Sequence, residues 1–470
     1  MRILLFIALW LLSYLCSAQT SQKRYTLEDC ISIALENSLD LKSSKNQRET
    51  ARINFQQSKG DLLPSVNGNY NVGINDGRSI DPFTNDFINQ RLTFSSANLN
   101  LNAVIFNGFR LLNTVKQQRL NAEAAQMEVE QQKQDLVLSV TLAYLQVLNS
   151  RDVLLLNEQR LIATENQLEI QKDLYEEGRS NPADYTDLLG QKSIDETNIL
   201  TAQITLNNAK LSLMQLLNLD ENILIDESSM LLDLAEYGLT SEQVYQDALA
   251  SLATFKAREL RMEAAKKGMS IARSQYIPEV SLFGQLNTNY SSAAQTFNET
   301  GSIIEATDDF VTINNQDFAV FTERTAFEAA QIDYFDQFEN NLNSTIGVSV
   351  RIPLFNGFRA KNNIALEKVR VEESLIDMER TQVQIKNAIK QVYFDMEAAY
   401  SRYESFKKQV EAFEKSFEVN KVRFNNGVSN FLSYITSKNN LETAKVNLSN
   451  AKYAYLLRVK VLEYYRGNNF

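Results

Sequence analysis

The sequence predicts a mainly α-helical chain with a β-barrel part: tandem-repeat long coiled-coil hairpins plus four transmembrane β-strands per chain. Three observations predict it. Gly178 follows Gly108 by 70 residues and Gly427 follows Gly357 by 70, and neither interval contains another glycine or a proline. Four other segments alternate apolar and polar residues with period two. The first half of the chain also aligns with the second over long ungapped stretches.

The N-terminus is a class of its own. Arg2 precedes an apolar run, Ile3 to Leu12, and Cys16-Ser17-Ala18 supplies small residues ahead of Gln19. Residues 1–18 therefore read as a secretory signal peptide, too short to span a membrane stably. Lipidation at Cys16 is disfavoured by the bulky Leu15 before it. The mature chain keeps one cysteine, Cys30, in a helical pattern, where a small buried apolar residue is expected. Histidine is absent, which removes imidazole bases, Ser-His-Asp triads and histidine metal sites together. No nucleophile motif or glycine-rich phosphate loop stands in for them. The expectation is a protein that is not an enzyme, with no catalytic residues, no metal and no cofactor. A net charge of −11 argues against nucleic acid as a partner.

The repeat organises the rest of the chain. Thr26-Leu27-Glu28-Asp29 opens a helix with a capping threonine and early acids, and Thr240-Ser241-Glu242-Gln243 does so as a full capping box. From there Ala34-Leu35 matches Ala248-Leu249, Lys42 matches Lys256, and Pro64 matches Pro278. The expected division is a first repeat over 19–238 and a second over 239–470.

After each of those prolines the period falls to two. Val66, Tyr70, Val72 and Ile74 alternate with Ser65, Asn67, Asn69 and Asn71; Leu99, Leu101, Ala103 and Ile105 alternate with Asn98, Asn100 and Asn102. Val280, Leu282, Leu286 and Tyr290 alternate with Glu279, Ser281, Gln285 and Asn287; Ile346, Val348 and Val350 alternate with Thr345, Ser349 and Arg351. One apolar and one asparagine-rich face, over about ten residues each, is the pattern of strands between lipid and water. A half-buried sheet in a soluble sandwich would alternate in the same way; the secretion signal and the rods favour the membrane. Four strands are too few for a barrel, since the smallest have about eight, and an open edge is not viable in lipid. Several chains must then share one barrel.

Each seventy-residue interval, as a helix, reaches roughly 105 Å at ~1.5 Å per residue. Within the first, Val140, Val147, Leu154, Leu161, Leu168 and Tyr175 recur every seven residues; the second offers Ile389, Met396, Tyr403, Val410, Phe417 and Phe424. Companion positions Arg151, Glu158 and Glu165 are charged, so the seam is narrow and much of each rod is wet. Return helices are expected to about Leu217 and Tyr465. Leu219 to Gly238 reads as a linker with an acidic patch, Asp220-Glu221 and Asp226-Glu227. The second strand connection, Ser291 to Asn341, holds ten acids, one base (Arg324) and eight aromatics. It is expected to be a solvated outer loop, with a surface cap or ligand contact as the sharper reading.

The layout resembles the TolC-like outer-membrane efflux proteins. The residues that carry the resemblance are the paired junctions Phe106-Asn107-Gly108-Phe109-Arg110 and Phe355-Asn356-Gly357-Phe358-Arg359, the proline-led hairpins, and the tips Gly178-Arg179-Ser180 and Gly427-Val428-Ser429. The resemblance implies a homotrimer forming a twelve-stranded barrel in outer-membrane lipid, continuous with a helical tunnel in the periplasm. It implies docking of a periplasmic adaptor (membrane fusion) protein at the tips, an inner-membrane RND or ABC transporter as the energised partner, and efflux or type I secretion as the task. The family's narrow periplasmic mouth carries acids six and nine residues past the second tip glycine. Here those positions are Ser433 and Thr436, a departure, while Asp184 and Asp187 hold the equivalent places after the first tip. A trimeric membrane-anchored stalk or adhesin is the alternative, although two hairpins each embedded between helices fit a single anchor poorly.

Overall fold

A computed structural model describes residues 24–80, 85–89, 91–179, 181–220, 224–225 and 234–467. The expected signal peptide, Pro82, Ser180, Glu221, Asp226 and Glu227 lie outside the described residues. In chain order the elements are β1 (Arg24–Tyr25), α1 (Leu27–Asn37), α2 (Leu39–Gly60), β2 (Ser65–Asn75), β3 (Arg78–Ile80), β4 (Phe87–Asn89), β5 (Leu92–Phe106), α3 (Arg110–Glu176), α4 (Pro182–Leu217) and β6 (Leu224–Ile225). Next come α5 (Ser241–Ser251), α6 (Ala253–Arg273), β7 (Glu279–Ser291), β8 (Gln295–Ile313), β9 (Gln316–Gln331), α7 (Tyr334–Asn340), β10 (Asn343–Arg351), α8 (Arg359–Asn425) and α9 (Phe431–Tyr465). The described residues form two compact units. One draws on the described residues of 24–52, 119–264 and 372–467, the other on those of 53–118 and 265–371.

The helical unit is built on capped amphipathic helices. Thr26 Oγ1 accepts the Asp29 N–H at 3.1 Å while the Asp29 carboxylate accepts the Thr26 N–H. Thr240 and Gln243 repeat the exchange at the start of α5. Each box satisfies two otherwise orphaned donors. Leu27, Cys30 and Ala34 face one way along α1 and join a core with Val140, Tyr144 and Val147 of α3 and Leu206, Ala209 and Leu213 of α4. Val244 and Ala248 of α5 do the same with Ile389 and Met396 of α8 and Tyr455 and Leu462 of α9. Of the seam positions read from the sequence, Val140, Val147, Leu154, Ile389 and Met396 are buried, Tyr175 is exposed, and the rest are half-buried. Burial, then Asp29 and Glu28, pushes the Cys30 thiol up to about 12, so Cys30 acts as an inert apolar residue.

The second unit is a four-stranded antiparallel sheet in the order β10–β7–β5–β2. Its register sorts the faces. Val66, Leu101, Gly284 and Ile346 form one cross-strand row. Asn69, Asn98, Asn287 and Asn343 form another, with Asn69 Nδ2 donating to Asn98 Oδ1 at 3.0 Å. The apolar rows remain exposed, including Ile346 at 79%, as a face meant for a non-aqueous partner would be.

The structure corrects one expectation. The acidic, aromatic connection is a β-hairpin, with β8 of 19 residues paired to β9 of 16, followed by α7. Asn314 and Asn315, at φ 54° and 72°, make the two-residue turn that right-twisted strands favour. The acids suggest a loop, but Thr, Phe, Val and Ile are strand formers and set the local structure. The first connection also pairs briefly, β3 with β4.

Candidate functional site

The two tips have one geometry. Gly178, at φ +72°, sits just past the end of α3, with its N–H bonded to Tyr175 O at 3.0 Å and the Arg179 N–H bonded to Leu174 O at 2.8 Å. Gly427, at φ +70°, bonds Phe424 O at 2.9 Å while Val428 N–H bonds Arg423 O at 2.8 Å. Both are Schellman turns, which satisfy the last helical carbonyls and want glycine at the left-handed residue. Three residues past each glycine, Asn181 Oδ1 accepts the Ala183 N–H and Asn430 Oδ1 accepts the Ser433 N–H, capping the return helices α4 and α9. These asparagine caps were not singled out from the sequence, although Asn directly before Pro182 and Phe431 is a helix-start signal.

The helices behind the tips are tied by an aromatic cluster. Leu188, Phe431 and Tyr434 are buried against Leu168, Phe417 and Phe424 of the expected seam. Phe424 and Tyr434 stack at 5.0 Å between ring centroids, and Tyr175 stacks on Tyr185 at 5.2 Å. The turn residues themselves stay open: Arg179, Val428 and both glycines face solvent, and Arg179 pairs locally with Glu177 at 3.1 Å. Ser429 donates its N–H to Arg423 O at 3.3 Å.

The four aperture candidates divide. Ser433 is used in the cap, its N–H and Oγ both donating to Asn430 Oδ1. Thr436 is exposed, three residues further along α9. Asp184 and Asp187 lie in the first turns of α4, where carboxylates interact favourably with the helix dipole. Partial burial and then the neighbouring Asp187 raise the Asp184 carboxyl above its ordinary range.

The junctions are also a matched pair. Gly108 and Phe109 both take left-handed φ values of 65° and 63°, and Gly357 and Phe358 take 64° and 59°. Phe106 meets Phe109 edge-on at 5.4 Å, as Phe355 meets Phe358 at 5.6 Å. Asn107 Oδ1 accepts the Leu111 N–H and Asn356 Oδ1 accepts the Ala360 N–H, so each asparagine caps the rod it precedes. A bulge between Val104 and Phe106 re-aims β5 into its junction.

The sequence matches the family model for outer membrane efflux proteins over residues 30–219 and 244–468. Outer membrane efflux protein BepC of Brucella suis biovar 1 is 21% identical over 374 residues, covering 80% of this chain and 70% of that protein. Among solved structures, the Campylobacter jejuni CmeC outer membrane channel superposes with a TM-score of 0.74 at 15% identity, covering 94% of this chain and 85% of that one. The Vibrio cholerae outer membrane protein VceC gives 0.72 at 17% identity, covering 94% and 96%. The chain belongs to the outer membrane efflux protein family, which puts its four-stranded sheet in the outer membrane.

Proposed function

We propose that this protein is the outer-membrane duct of a tripartite efflux or type I secretion system. In this reading it is a homotrimer built from repeats 19–238 and 239–470, exported by a signal peptide over 1–18. It conducts solutes passively from a periplasmic adaptor and an inner-membrane RND or ABC transporter to the exterior. Its work is conduction, without bond chemistry. The observation that carries the reading is the asparagine row across all four strands, Asn69–Asn98–Asn287–Asn343, on the face opposite the apolar rows. Carboxamides offer donors and acceptors to water and to many solutes without fixing a charge preference. Purified protein in a planar bilayer should carry a steady current; silence would favour a stalk or adhesin.

The open tip turns are the proposed adaptor contacts: Gly178, Arg179, Ser180, Gly427, Val428 and Ser429. Asp184 and Asp187 are the proposed acidic lining of the periplasmic mouth, with Ser433 and Thr436 neutral beside them. Support comes from the turns' shared geometry and solvent exposure. Arg179→Glu or Gly427→Trp should impair export while the oligomer remains in the membrane. Unchanged export in both variants would remove the docking assignment.

A further inference from the structure

α7 is only seven residues long, yet it is fastened firmly to the sheet. Tyr334 Oη lies 3.0 Å from Tyr70 Oη and 2.9 Å from Ser95 Oγ, and its ring meets Tyr290 at 4.7 Å and Phe338 at 4.6 Å. Thr288 Oγ1 donates to Phe338 O at 2.6 Å. The buried Gln337 carboxamide accepts the Ser291 N–H at 2.9 Å and donates to Ser291 O and Ile332 O.

Register says which face this is. Val72, Ser95 and Tyr290 form one row, and Tyr70, Ala97 and Thr288 the next. Both belong to the apolar face with Val66, Leu101 and Ile346. The helix therefore lies on the lipid side, at the end of the sheet remote from the two Asn-Gly-Phe junctions. From Val280 to Tyr290 the strand rises about 33 Å at ~3.3 Å per residue, or about 23 Å of membrane depth at ~45° tilt. That is close to the ~25 Å apolar band of outer-membrane strands, whose borders carry aromatic girdles. The junction end has its own exposed rings, Phe106, Phe109, Phe355 and Phe358. At the far end Phe335 projects from α7 with 81% of its surface open, while Asp336 and Glu339 are also exposed on the same short helix.

We infer that α7 is an interfacial foot: Tyr334, Phe335 and Phe338 sit at the outer lipid–water boundary and fix the depth of the sheet in the bilayer. The occupant is lipid, because the site lies on the same face as the apolar rows and its rings border a band of membrane thickness. The inference rests on that face meeting lipid, and the test separates the two.

Trp10 is the only tryptophan in the sequence and lies in the proposed signal peptide, so the mature protein is free of indole signal. Single reporters are then placed by Phe335→Trp, Ile346→Trp and, on the β9 strand, Phe318→Trp. The variants are reconstituted in phosphatidylcholine vesicles brominated either near the headgroup or near the chain end. Phe335→Trp should be quenched about twofold more by shallow than by deep bromines, as an interfacial aromatic is. Ile346→Trp should show the reverse, and Phe318→Trp neither. Quenching of Phe335→Trp by acrylamide alone would place it in water, and protection from both quenchers would place it against a neighbouring copy. Either result, with Ile346→Trp quenched, overturns the foot alone. Loss of bromine quenching at Ile346→Trp as well overturns the lipid face itself.

Discussion

Two glycines in equivalent turns face different surroundings. Gly108 and Gly357 share a left-handed φ near 65°, yet a Cβ on Gly108 would sit 2.7 Å from Ile277 Cβ, whereas one on Gly357 would meet nothing within 4 Å. Gly357→Ala should therefore cost only the backbone term of about 1–2 kcal/mol. Gly108→Ala adds an overpacking term of about 1–3 kcal/mol. Unfolding midpoints in matched detergent check the order; equal losses would mean that Ile277 moves aside freely. A second residue-scale outcome concerns Lys438, which is 2% exposed and bonds Thr164 Oγ1. Burial pulls its ammonium down to about 8, with Arg160 adding to the effect and Asp195 and Glu442 opposing it. The ordinary value is 10.5, so between about pH 8 and 10.5 the unfolded chain binds the proton more than the folded one does. Stability contributed at this position then rises with pH through that window. The melting difference between Lys438→Met and the parent should shift in the parent's favour from pH 8 to pH 10; a flat difference would contradict the sign.

At the scale of elements, the long helices were legible and the charges between them were not. Freedom from glycine and proline fixed α3 and α8 to within a residue or two of their ends, because those two residues are what stops a helix. The strands were legible through their alternation, the tips and junctions through repeated glycine. Acidity hides the β8–β9 hairpin in the sequence and outweighs the Asn314-Asn315 turn signal. The asparagine caps passed unnoticed for want of a pattern longer than one residue. Asp195 was invisible as well, since an aspartate amid polar helix residues reads as solvated. In the fold it is fully buried, with Arg160 Nε at 2.7 Å, Gln191 Nε2 at 2.8 Å and the Thr164 hydroxyl on its carboxylate. Asp195→Ala would leave Arg160 and Lys438 as buried positive charges without their counter-charge. The expected loss is about 3–5 kcal/mol by chemical denaturation. Glu165→Ala, which removes an exposed pair with Lys192 at 2.9 Å, should cost no more than about 1 kcal/mol. Comparable losses would show that Asp195 is better hydrated than its burial implies.

For the whole molecule the decisive fact is that, among the described residues, β2 and β10 are the edge strands of the four-stranded sheet. Lipid offers no hydrogen bonds to those edges, so the sheet must close on other copies. Two copies would give eight strands, and a barrel of about that size is filled by its own side chains. Such a barrel would bury the row Asn69–Asn98–Asn287–Asn343 with no bore for a solute. Three copies give twelve strands and a lumen wide enough to keep those carboxamides in water, where polar side chains are stable without fixed partners. Solubilised protein should therefore have three times the mature-chain mass by light scattering, after subtraction of detergent, and the same fraction should conduct in a bilayer. A two-chain mass would mean a plugged barrel, and a single-chain mass would mean that the apolar rows are covered by something other than lipid and sister strands. Because the edges and the asparagine row belong to the same sheet, mass and conductance must agree: a three-chain particle that carries no current would require the lumen to be shut elsewhere along its length.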